Sequence, residues 1–321
     1  MYAITVDETR AMHWTEVPDP VPKSDEILLE IHAAALNRAD LLQRAGKYPP
    51  PPGWPDWMGL EAAGIVLSAP AGSRWKRGDR VCALLGGGGY AEKIAVPEKM
   101  VLPVPRGLSL IEASSLPEVF ATAYLNLVFE AGLQAGETAF IQAGASGLGI
   151  AAIQTAKVLG ATVVTTVGSE RKAEAVRALG ADIVVNRKTD DLGKVLDEHP
   201  VDVVLDCVGG TGLGKHLEKL APGGRWILIS TLGGESAEIA LRPILKRGLR
   251  LIGSTLRSRT TEKKGEILAG LEKQIWPAME AKTIRPVIFK TFPIREAEQA
   301  HAVLERGENI GKVVLSIRDE E

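Results

Sequence analysis

The sequence predicts an α/β protein in which a β-rich first third precedes a doubly wound parallel sheet. Short apolar runs separated by glycine turns fill the chain before about Ile111. Strand-like and helical patterns alternate after that point. A glycine-rich turn joins the first of these strands to a helix in "FIQAGASGLGIAAIQTAK", Phe140 to Lys157. Together, these features indicate a nucleotide-binding sheet preceded by a β-rich region.

The β-rich region contains apolar or alternating segments bounded by polar residues or glycine. Examples are "EILLEIHAAAL", "EAAGIVLS" and "KRGDRVCALLGGGGYAEKIAVP". A long segment between them, "AGKYPPPPGWPDWMG", has too many prolines for a helix interior or a central strand. Loops of this length are usually functional or disordered. Two tryptophans and a tyrosine favour ordered packing here.

The second region contains six strand-like segments with helical patterns between them. The first strand covers Thr138 to Gln142, and Gly147 to Leu159 follows it as a helix. "ERKAEAVRALGA" is an amphipathic helix closed by Gly180. The other five strands are "TVVTTV", "ADIVVN", "VDVVLDCVG", "RWILIS" and "LRLIGSTL". A further helix, short strands and a last helix precede "IGKVVLSI".

The composition excludes several classes of function. The chain has 321 residues, 45% of them hydrophobic, and a formal net charge of -2, so neither nucleic acid nor a membrane is expected as a partner. Only Cys82 and Cys207 are present, which favours a reducing compartment. The N-terminus lacks a signal-peptide pattern and no apolar stretch could span a membrane, so we expect a cytoplasmic protein.

The histidines and cysteines give no metal-ligand pattern. The five histidines are scattered and none lies at ligand spacing from a cysteine, so no metal site is expected. No nucleophile-elbow motif is apparent either. A redox reaction run by a bound nicotinamide fits best, because the cofactor carries the hydride chemistry.

The glycine turn nearly matches the dinucleotide fingerprint G-x-G-x-x-G. Gly144 takes the first position and Gly149 the third, but Ser146 replaces the second glycine. A serine reduces the clearance, yet its hydroxyl can donate to a phosphate oxygen at the helix N-terminus. We therefore predict dinucleotide binding; the alternative is a glycine turn used only for packing.

The second strand of this region indicates which nucleotide is bound. Enzymes that prefer NAD usually have a carboxylate about 20 residues after the turn, but Gly168 and Ser169 stand there. Arg171 and Lys172 lie in the first turn of the next helix, where cations oppose the helix dipole, and a phosphate partner would explain them. Arg187 is a weaker candidate for the same phosphate. These residues predict NADP(H).

Two alternatives to NADP(H) remain open at this point. The cations could belong to an exposed charged turn. Glu170 could also reach a ribose hydroxyl, as the carboxylate of an NAD site does.

The chain resembles the zinc-free quinone oxidoreductases of the medium-chain dehydrogenase/reductase superfamily over nearly its whole length. The matching stretches are "ALNRADLLQRAGKYPPPPG", "GLEAAGIV", "GDRVCALLGGGGYAEKIAVP", "AGASGLGIAAIQTAK", "LDCVGG", "GGRWILI", "LRSR" and "NIGKVVL". The proline-rich stretch is closest to the tumour-suppressor-inducible subgroup, and zeta-crystallin is a more distant relative. Zinc-dependent members carry "GHE" at Gly59-Leu60-Glu61 and a zinc cysteine near Asn37, so the resemblance also implies no metal.

The resemblance implies a GroES-like β-rich catalytic domain at 1–119, a Rossmann NADP-binding domain at 120–256 and a return to the catalytic domain at 257–321. The active site would lie in the interdomain cleft. Asn37 and Tyr48 would face the nicotinamide and the substrate as the catalytic residues. The implied cofactor contacts are Thr122, Ala145, Ser146, Gly147, Leu148, Gly168, Ser169, Lys172, Leu232, Thr255, Leu256, Asn309 and Lys312.

Several of these residues have simpler alternatives. Asn37 could cap a helix, Tyr48 could pack on the neighbouring prolines, and Lys312 could be a solvated lysine. Trp54 and Trp57 could wall the substrate cleft or pack only within their loop.

The expected function is NADPH-dependent reduction of small quinones, with protons from water or from the Tyr48 hydroxyl. A reductase of α,β-unsaturated carbonyls is the close alternative, and a nucleotide-binding protein without catalysis is another. The resemblance also implies a homodimer through the edge strand "LRLIGSTL".

Overall fold

The computed structural model describes residues 1–318, and the chain divides into two compact units. Unit 1 contains Met1–Ala121 together with the segment that begins at Arg257, and unit 2 contains Thr122–Leu256. The resemblance implies boundaries after residues 119 and 256, and the units of the structure divide after residues 121 and 256.

Fifteen strands and eleven α-helices occur in residues 1–318. The strands are β1 (Tyr2–Val6), β2 (Met12–Glu16), β3 (Glu26–Ala35), β4 (Glu61–Ser68), β5 (Arg80–Leu84), β6 (Lys93–Pro97), β7 (Val101–Pro103), β8 (Thr138–Ile141), β9 (Thr162–Val167), β10 (Ile183–Asn186), β11 (Val201–Asp206), β12 (Leu220–Leu228), β13 (Arg250–Gly253), β14 (Ile288–Pro293) and β15 (Lys312–Ser316). The helices are α1 (Arg38–Arg44), α2 (Leu110–Ala113), α3 (Pro117–Tyr124), α4 (Gly147–Val158), α5 (Glu170–Arg177), α6 (Leu192–Glu198), α7 (Thr211–His216), α8 (Leu241–Arg247), α9 (Thr261–Gln274), α10 (Trp276–Glu280) and α11 (Ala297–Arg306).

Unit 1 is built on a seven-stranded sheet, which confirms the β-rich region. Its order is β14-β15-β3-β4-β5-β7, and β6 pairs with β3. All pairs are antiparallel except β14 with β15. The late strand β15 lies between β14 and the early strand β3, with Val314 opposite Ala35. The sheet is therefore completed by residues nearly 280 positions apart in the chain.

The proline-rich loop of unit 1 packs against the glycine run Gly86–Gly89. A Cβ atom built on Gly86 would stand 2.7 Å from the Trp54 ring. The Trp57 indole donates to the Gly88 carbonyl at 3.2 Å. The run therefore lacks side chains where the loop lies against it, and both tryptophans contact this run.

Unit 2 contains six parallel strands in the order β10-β9-β8-β11-β12-β13, which confirms the doubly wound sheet. β-Branched residues dominate these strands, as expected of a sheet covered on both faces. Phe140, Val164, Val204 and Trp226 are fully buried in its core. The chain order reverses between β8 and β11, and ligands of such sheets bind at this switch point beyond the carboxyl ends of the strands.

Candidate functional site: a dinucleotide turn and a buried polar network

The glycine-rich turn lies at the switch point of unit 2, between the end of β8 and the start of α4. Ser146 is the N-cap of α4, and its Oγ accepts a hydrogen bond from the Gly149 amide at 3.0 Å. The cap uses a lone pair of the hydroxyl, so the hydroxyl hydrogen can still donate to an anion. Serine at the second fingerprint position therefore stabilises the helix start and keeps a donor.

Gly144 and Gly149 are both required by close contacts. A Cβ on Gly144 would lie 2.1 Å from Thr165 Oγ1, whose hydroxyl donates to the Ile141 carbonyl at 2.7 Å. A Cβ on Gly149 would lie 2.3 Å from the Ala143 carbonyl oxygen. These contacts hold the turn against β9 and the helix against the turn, which are the roles of the first and third fingerprint glycines.

The backbone from Ala145 to Leu148 fits a pyrophosphate group. Ala145 is buried and the next three residues are half-buried. The amides at the start of the 12-residue helix α4 have no partner within the helix, and the helix dipole adds positive potential there. The turn can therefore hold an anion without any cationic side chain.

A group of cations lies beyond the ends of β9 and β10. Ser169 is the N-cap of α5, and its Oγ accepts from the Lys172 amide at 3.4 Å. A Cβ on Gly168 would stand 3.3 Å from Arg187 Nη2, so this guanidinium lies beside the turn. Burial lowers the pKa of Lys172, and the charges of Arg187, Arg171 and Lys188 lower it further. We call Arg171, Lys172, Arg187 and Lys188 the cationic corner.

Glu170 stands beside the cationic corner but pairs with another residue of its own helix. Its Oε1 lies 2.7 Å from Arg177 Nη1, and both side chains are exposed. Glu170, which could have bound the ribose of NAD, is therefore paired with Arg177 in this structure.

The remaining candidate residues of unit 2 are placed as follows. Leu232 lies in the loop after β12 and is exposed, while Thr255 and the buried Leu256 follow β13. These loops leave the same edge of the sheet as the glycine turn, because the strands are parallel. Thr122 lies on α3, and its carbonyl accepts from Asn126 Nδ2 at 2.7 Å.

Unit 1 contains a buried polar network formed by Asn37, Glu61 and Lys312. Asn37 Nδ2 donates to Glu61 Oε1 at 2.9 Å, and Lys312 Nζ donates to Asn37 Oδ1 at 2.8 Å. Lys312 also forms an ion pair with Glu61 at 2.6 Å, and Glu61 is fully buried. The third donor of the ammonium bonds to the Leu36 carbonyl at 2.6 Å.

The structure decides between the alternatives for Lys312 and shows how the polar atoms of Asn37 are used. Lys312 is 5% exposed, so the alternative of a solvated lysine is wrong. All three of its N–H donors are used within unit 1. Asn37 is indeed the N-cap of α1, but its side-chain amide is engaged by Glu61 and Lys312. Asn309 uses its own amide to donate to the Gly311 carbonyl at 2.6 Å.

Two further carboxyl groups lie close to this network. Asp40 is buried and accepts from the amides of Asn37 and Gly59, yet desolvation raises its pKa to about 6. Desolvation, followed by repulsion from Glu61, raises the pKa of Glu118 to about 8. The Glu118 amide donates to Glu61 Oε2 at 2.9 Å. Unit 1 therefore contains carboxyl groups that change charge near neutral pH.

Tyr48 contacts Arg257 in the proline-rich loop of unit 1. The guanidinium carbon of Arg257 lies 4.1 Å from the ring centroid, and its Nη1 donates to the Tyr48 carbonyl at 3.4 Å. Burial raises the pKa of the half-buried phenol, and the Arg257 charge opposes that shift. Tyr48 is thus in contact with a cation of the same unit.

Glu61, Asp40 and Arg257 were missed as candidate site residues. A glutamate at the start of the apolar strand "EAAGIVLS" was a usable signal, because a buried charge requires a partner. Asp40 stands three residues after the helix cap, where a carboxylate can accept from the cap amide. Arg257 lies in the matching stretch "LRSR", but nothing near it in the sequence indicates its partners, which are about 170 residues or more away in the chain.

Residues 1–318 bear on the metal site and the membrane span that the sequence does not predict. No group of three or more histidine, cysteine or carboxylate side chains could hold a metal ion in this part of the chain. Among the helices of the same residues, none is both long and apolar enough to cross a membrane.

Comparison with known proteins identifies the class to which this fold and site belong. Residues 23–106 match the alcohol dehydrogenase GroES-like domain, and residues 147–269 match the zinc-binding dehydrogenase family. Quinone oxidoreductase from Sus scrofa is 32% identical over 94% of this chain and 92% of its own length. The chain belongs to the medium-chain dehydrogenase/reductase superfamily, among the relatives of the quinone oxidoreductases.

Solved structures give the same class. The quinone oxidoreductase of Thermus thermophilus, also solved in complex with NADPH, is 32% identical with a TM-score of 0.82, covering 99% of this chain and all of that chain. The JamJ enoyl reductase in its apo form is 26% identical with a TM-score of 0.85, covering 98% of each chain. The GroES-like domain, the Rossmann domain and oxidoreductase chemistry on a nicotinamide cofactor follow from this membership.

Proposed function

We propose that the protein is an NADPH-dependent quinone oxidoreductase. The cationic corner carries the cofactor part of this proposal. Four cationic side chains gather beyond β9 and β10, and the adjacent Glu170 is paired with Arg177. Such a corner suits the 2′-phosphate of NADPH, which would meet repulsion at the carboxylate of a typical NAD site.

Two separate groups of residues in unit 2 bind the pyrophosphate and the 2′-phosphate of the cofactor. Residues Ala145 to Leu148 hold the pyrophosphate at the start of α4: the Gly147 and Leu148 amides donate, and Ser146, whose amide bonds to the Ala143 carbonyl, adds its hydroxyl. Lys172 and Arg187 hold the 2′-phosphate beside Gly168 and Ser169. When bound, the reduced nicotinamide supplies a hydride. Thr122, Leu232, Thr255 and Leu256 of this unit, and Asn309 and Lys312 of unit 1, are proposed as further contacts.

The quinone part of the proposal rests on the similarity to quinone oxidoreductases. A quinone that takes up one hydride and one proton becomes a hydroquinone, while NADPH is oxidised to NADP⁺. The Tyr48 hydroxyl donates the proton to the quinone oxygen and recovers one from water. Asn37, whose side chain is held by Glu61 and Lys312, is proposed to face the nicotinamide and the quinone.

The test compares cofactor preference in matched variants. The double variant Lys172→Ala, Arg187→Ala should raise the KM for NADPH at least tenfold, because charge-assisted contacts to the phosphate are lost. The KM for NADH should change less than twofold. Lys194→Ala is the control, since Lys194 makes only an exposed contact to Glu198 at 3.9 Å. Equal rates with both cofactors in the unaltered protein would contradict the NADPH assignment.

A reductase of α,β-unsaturated carbonyls is the second candidate. The similarity to an enoyl reductase favours it. NADPH oxidation, followed by absorbance, would be compared with 1,2-naphthoquinone, 1,4-benzoquinone, an enone and no acceptor. Turnover with the enone alone would replace the quinone assignment.

We also propose that the protein is a cytoplasmic homodimer. Strand β13 is an edge of the unit 2 sheet, and Leu251 on it is exposed. Leu241 and Leu245 on α8 are 75% and 85% exposed. Unpaired edges and exposed apolar side chains favour a partner. Light scattering should give the dimer mass, and Leu245→Glu should lower it; a monomer at micromolar concentration in the unaltered protein would refute the dimer.

A further inference from the structure

Arg257 makes contacts with three separate segments of unit 1. Its guanidinium stacks on the Tyr48 ring at 4.1 Å. Its Nη2 donates to the Gly86 carbonyl at 2.8 Å and contacts Gln43 Oε1 at 3.4 Å. Its Nη1 reaches the Tyr48 carbonyl at 3.4 Å. One planar group thus ties the end of α1, the proline-rich loop and the glycine run together.

The loop between α1 and β4 has no regular structure to fix Tyr48. Residues 45–60 form neither helix nor strand, and their backbone hydrogen bonds lie on either side of Tyr48, at Lys47 and again from Pro51 onward. The Arg257 guanidinium fixes the loop at Tyr48 instead, because a guanidinium can stack on a ring and donate to two carbonyls in its plane at once. A lysine ammonium cannot reproduce that geometry.

The backbone of Arg257 is itself held in place. Lys264 on α9 is 6% exposed, and its Nζ donates to the Arg257 carbonyl at 3.1 Å. The charged groups acting on the Tyr48 phenol are Arg257, which favours its ionised form, and Glu118, which opposes it. Arg257 is therefore fixed on one side and acts on Tyr48 on the other.

We propose that Arg257 is a positioning residue that holds the Tyr48 phenol in the orientation needed for proton donation. This inference rests on the proposed function for the identity of the proton acceptor. The contacts that carry it lie within unit 1 and involve no cofactor.

The first experiment titrates the Tyr48 phenol without any substrate. The chain has four tyrosines, and subtracting the phenolate absorbance of Tyr48→Phe isolates the Tyr48 signal. Arg257→Gln should raise the ionisation midpoint by about one pH unit, since a nearby opposite charge favours the charged form. Arg257→Lys should move it less, because the charge stays. An unchanged midpoint in Arg257→Gln would overturn the proposal.

The second experiment is a kinetic double-mutant cycle with 1,2-naphthoquinone and NADPH. Tyr48→Phe should lower kcat about 100-fold and Arg257→Gln about tenfold, with the KM for NADPH unchanged. In the Tyr48→Phe background, Arg257→Gln should cause no further loss. Equal losses in both backgrounds would overturn the positioning role.

A matched control is available elsewhere in unit 1. Arg74 stacks on Trp75 at 4.3 Å and pairs with Glu272, so Arg74→Gln removes the same kind of contact away from Tyr48. It should change neither the phenol titration nor kcat. If the unaltered protein reduces no quinone, the proposed function fails, and the titration alone then supports or overturns the coupling of Arg257 to Tyr48.

Discussion

Removing the Lys312 ammonium tests the buried network of unit 1. In Lys312→Met, Glu61 would keep only its bonds from Asn37 Nδ2 and the Glu118 amide. A fully buried carboxylate without its cation costs about 3–5 kcal/mol. For a unit of this size, each kcal/mol lowers the Tm by about 2–4 °C, so we expect a decrease of roughly 6–20 °C.

The assay follows tryptophan fluorescence during urea or heat unfolding. Five of the six tryptophans lie in unit 1, because only Trp226 belongs to unit 2. Lys23→Met is the control: Lys23 pairs with Glu26 at 3.1 Å on the surface, and its loss should change stability by at most about 0.5 kcal/mol.

A double-mutant cycle gives the result that would refute this reasoning. In Lys312→Met, Glu61→Gln, both charges are absent, so much of the stability should return. The coupling between the two sites should then be at least about 2 kcal/mol. Additive losses would mean that the ion pair does not account for the destabilisation.

Three further predictions concern single positions. Gly149→Ala should weaken NADPH binding at least tenfold by calorimetry, because its Cβ would meet the Ala143 carbonyl oxygen at 2.3 Å; Gly212→Ala, with open space around it, should not. Glu118 is protonated more readily when folded, so its stabilising effect is present below its unfolded pKa near 4.5 and is lost as the pH rises through about 8. Between pH 5 and 8, the Tm of the unaltered protein should therefore fall relative to Glu118→Gln; parallel Tm curves would contradict this. Gly86→Ala should shift the tryptophan emission by displacing Trp54, and should have no such effect in Trp54→Phe.

The sheet of unit 2 could be predicted from the sequence, because each of its strands is indicated by a run of residues that are adjacent in the chain. Runs such as "TVVTTV" and "VDVVLD" became β9 and β11, and the glycine turn fell between β8 and α4. The spacing from Gly149 to Ser169 located the loop after β9, since helix α4 and strand β9 have ordinary lengths. The position of Arg187 beside Gly168 follows from the pairing of adjacent parallel strands.

The network of unit 1 could not be deduced in this way, because its members are distant in the chain. The residues next to Lys312 in the sequence indicate only that it lies at the start of a strand. The pairing of β15 with β3 is what brings it to Asn37. The contact of Arg257 with Tyr48 spans 209 residues. Periodicity and spacing describe neighbours along the chain, so such pairs require the tertiary structure.

The placement of β15 beside β3 has a consequence for the order in which the protein is made. Unit 2 is a continuous segment, so its sheet can close once the ribosome has released residues up to Gly253. Unit 1 starts earlier but must wait for residue 312, and until then Glu61 has no cation and Ala33 to Ala35 have no partner strand on the side of β15. The first unit to begin translation is thus the last whose strands can all be paired.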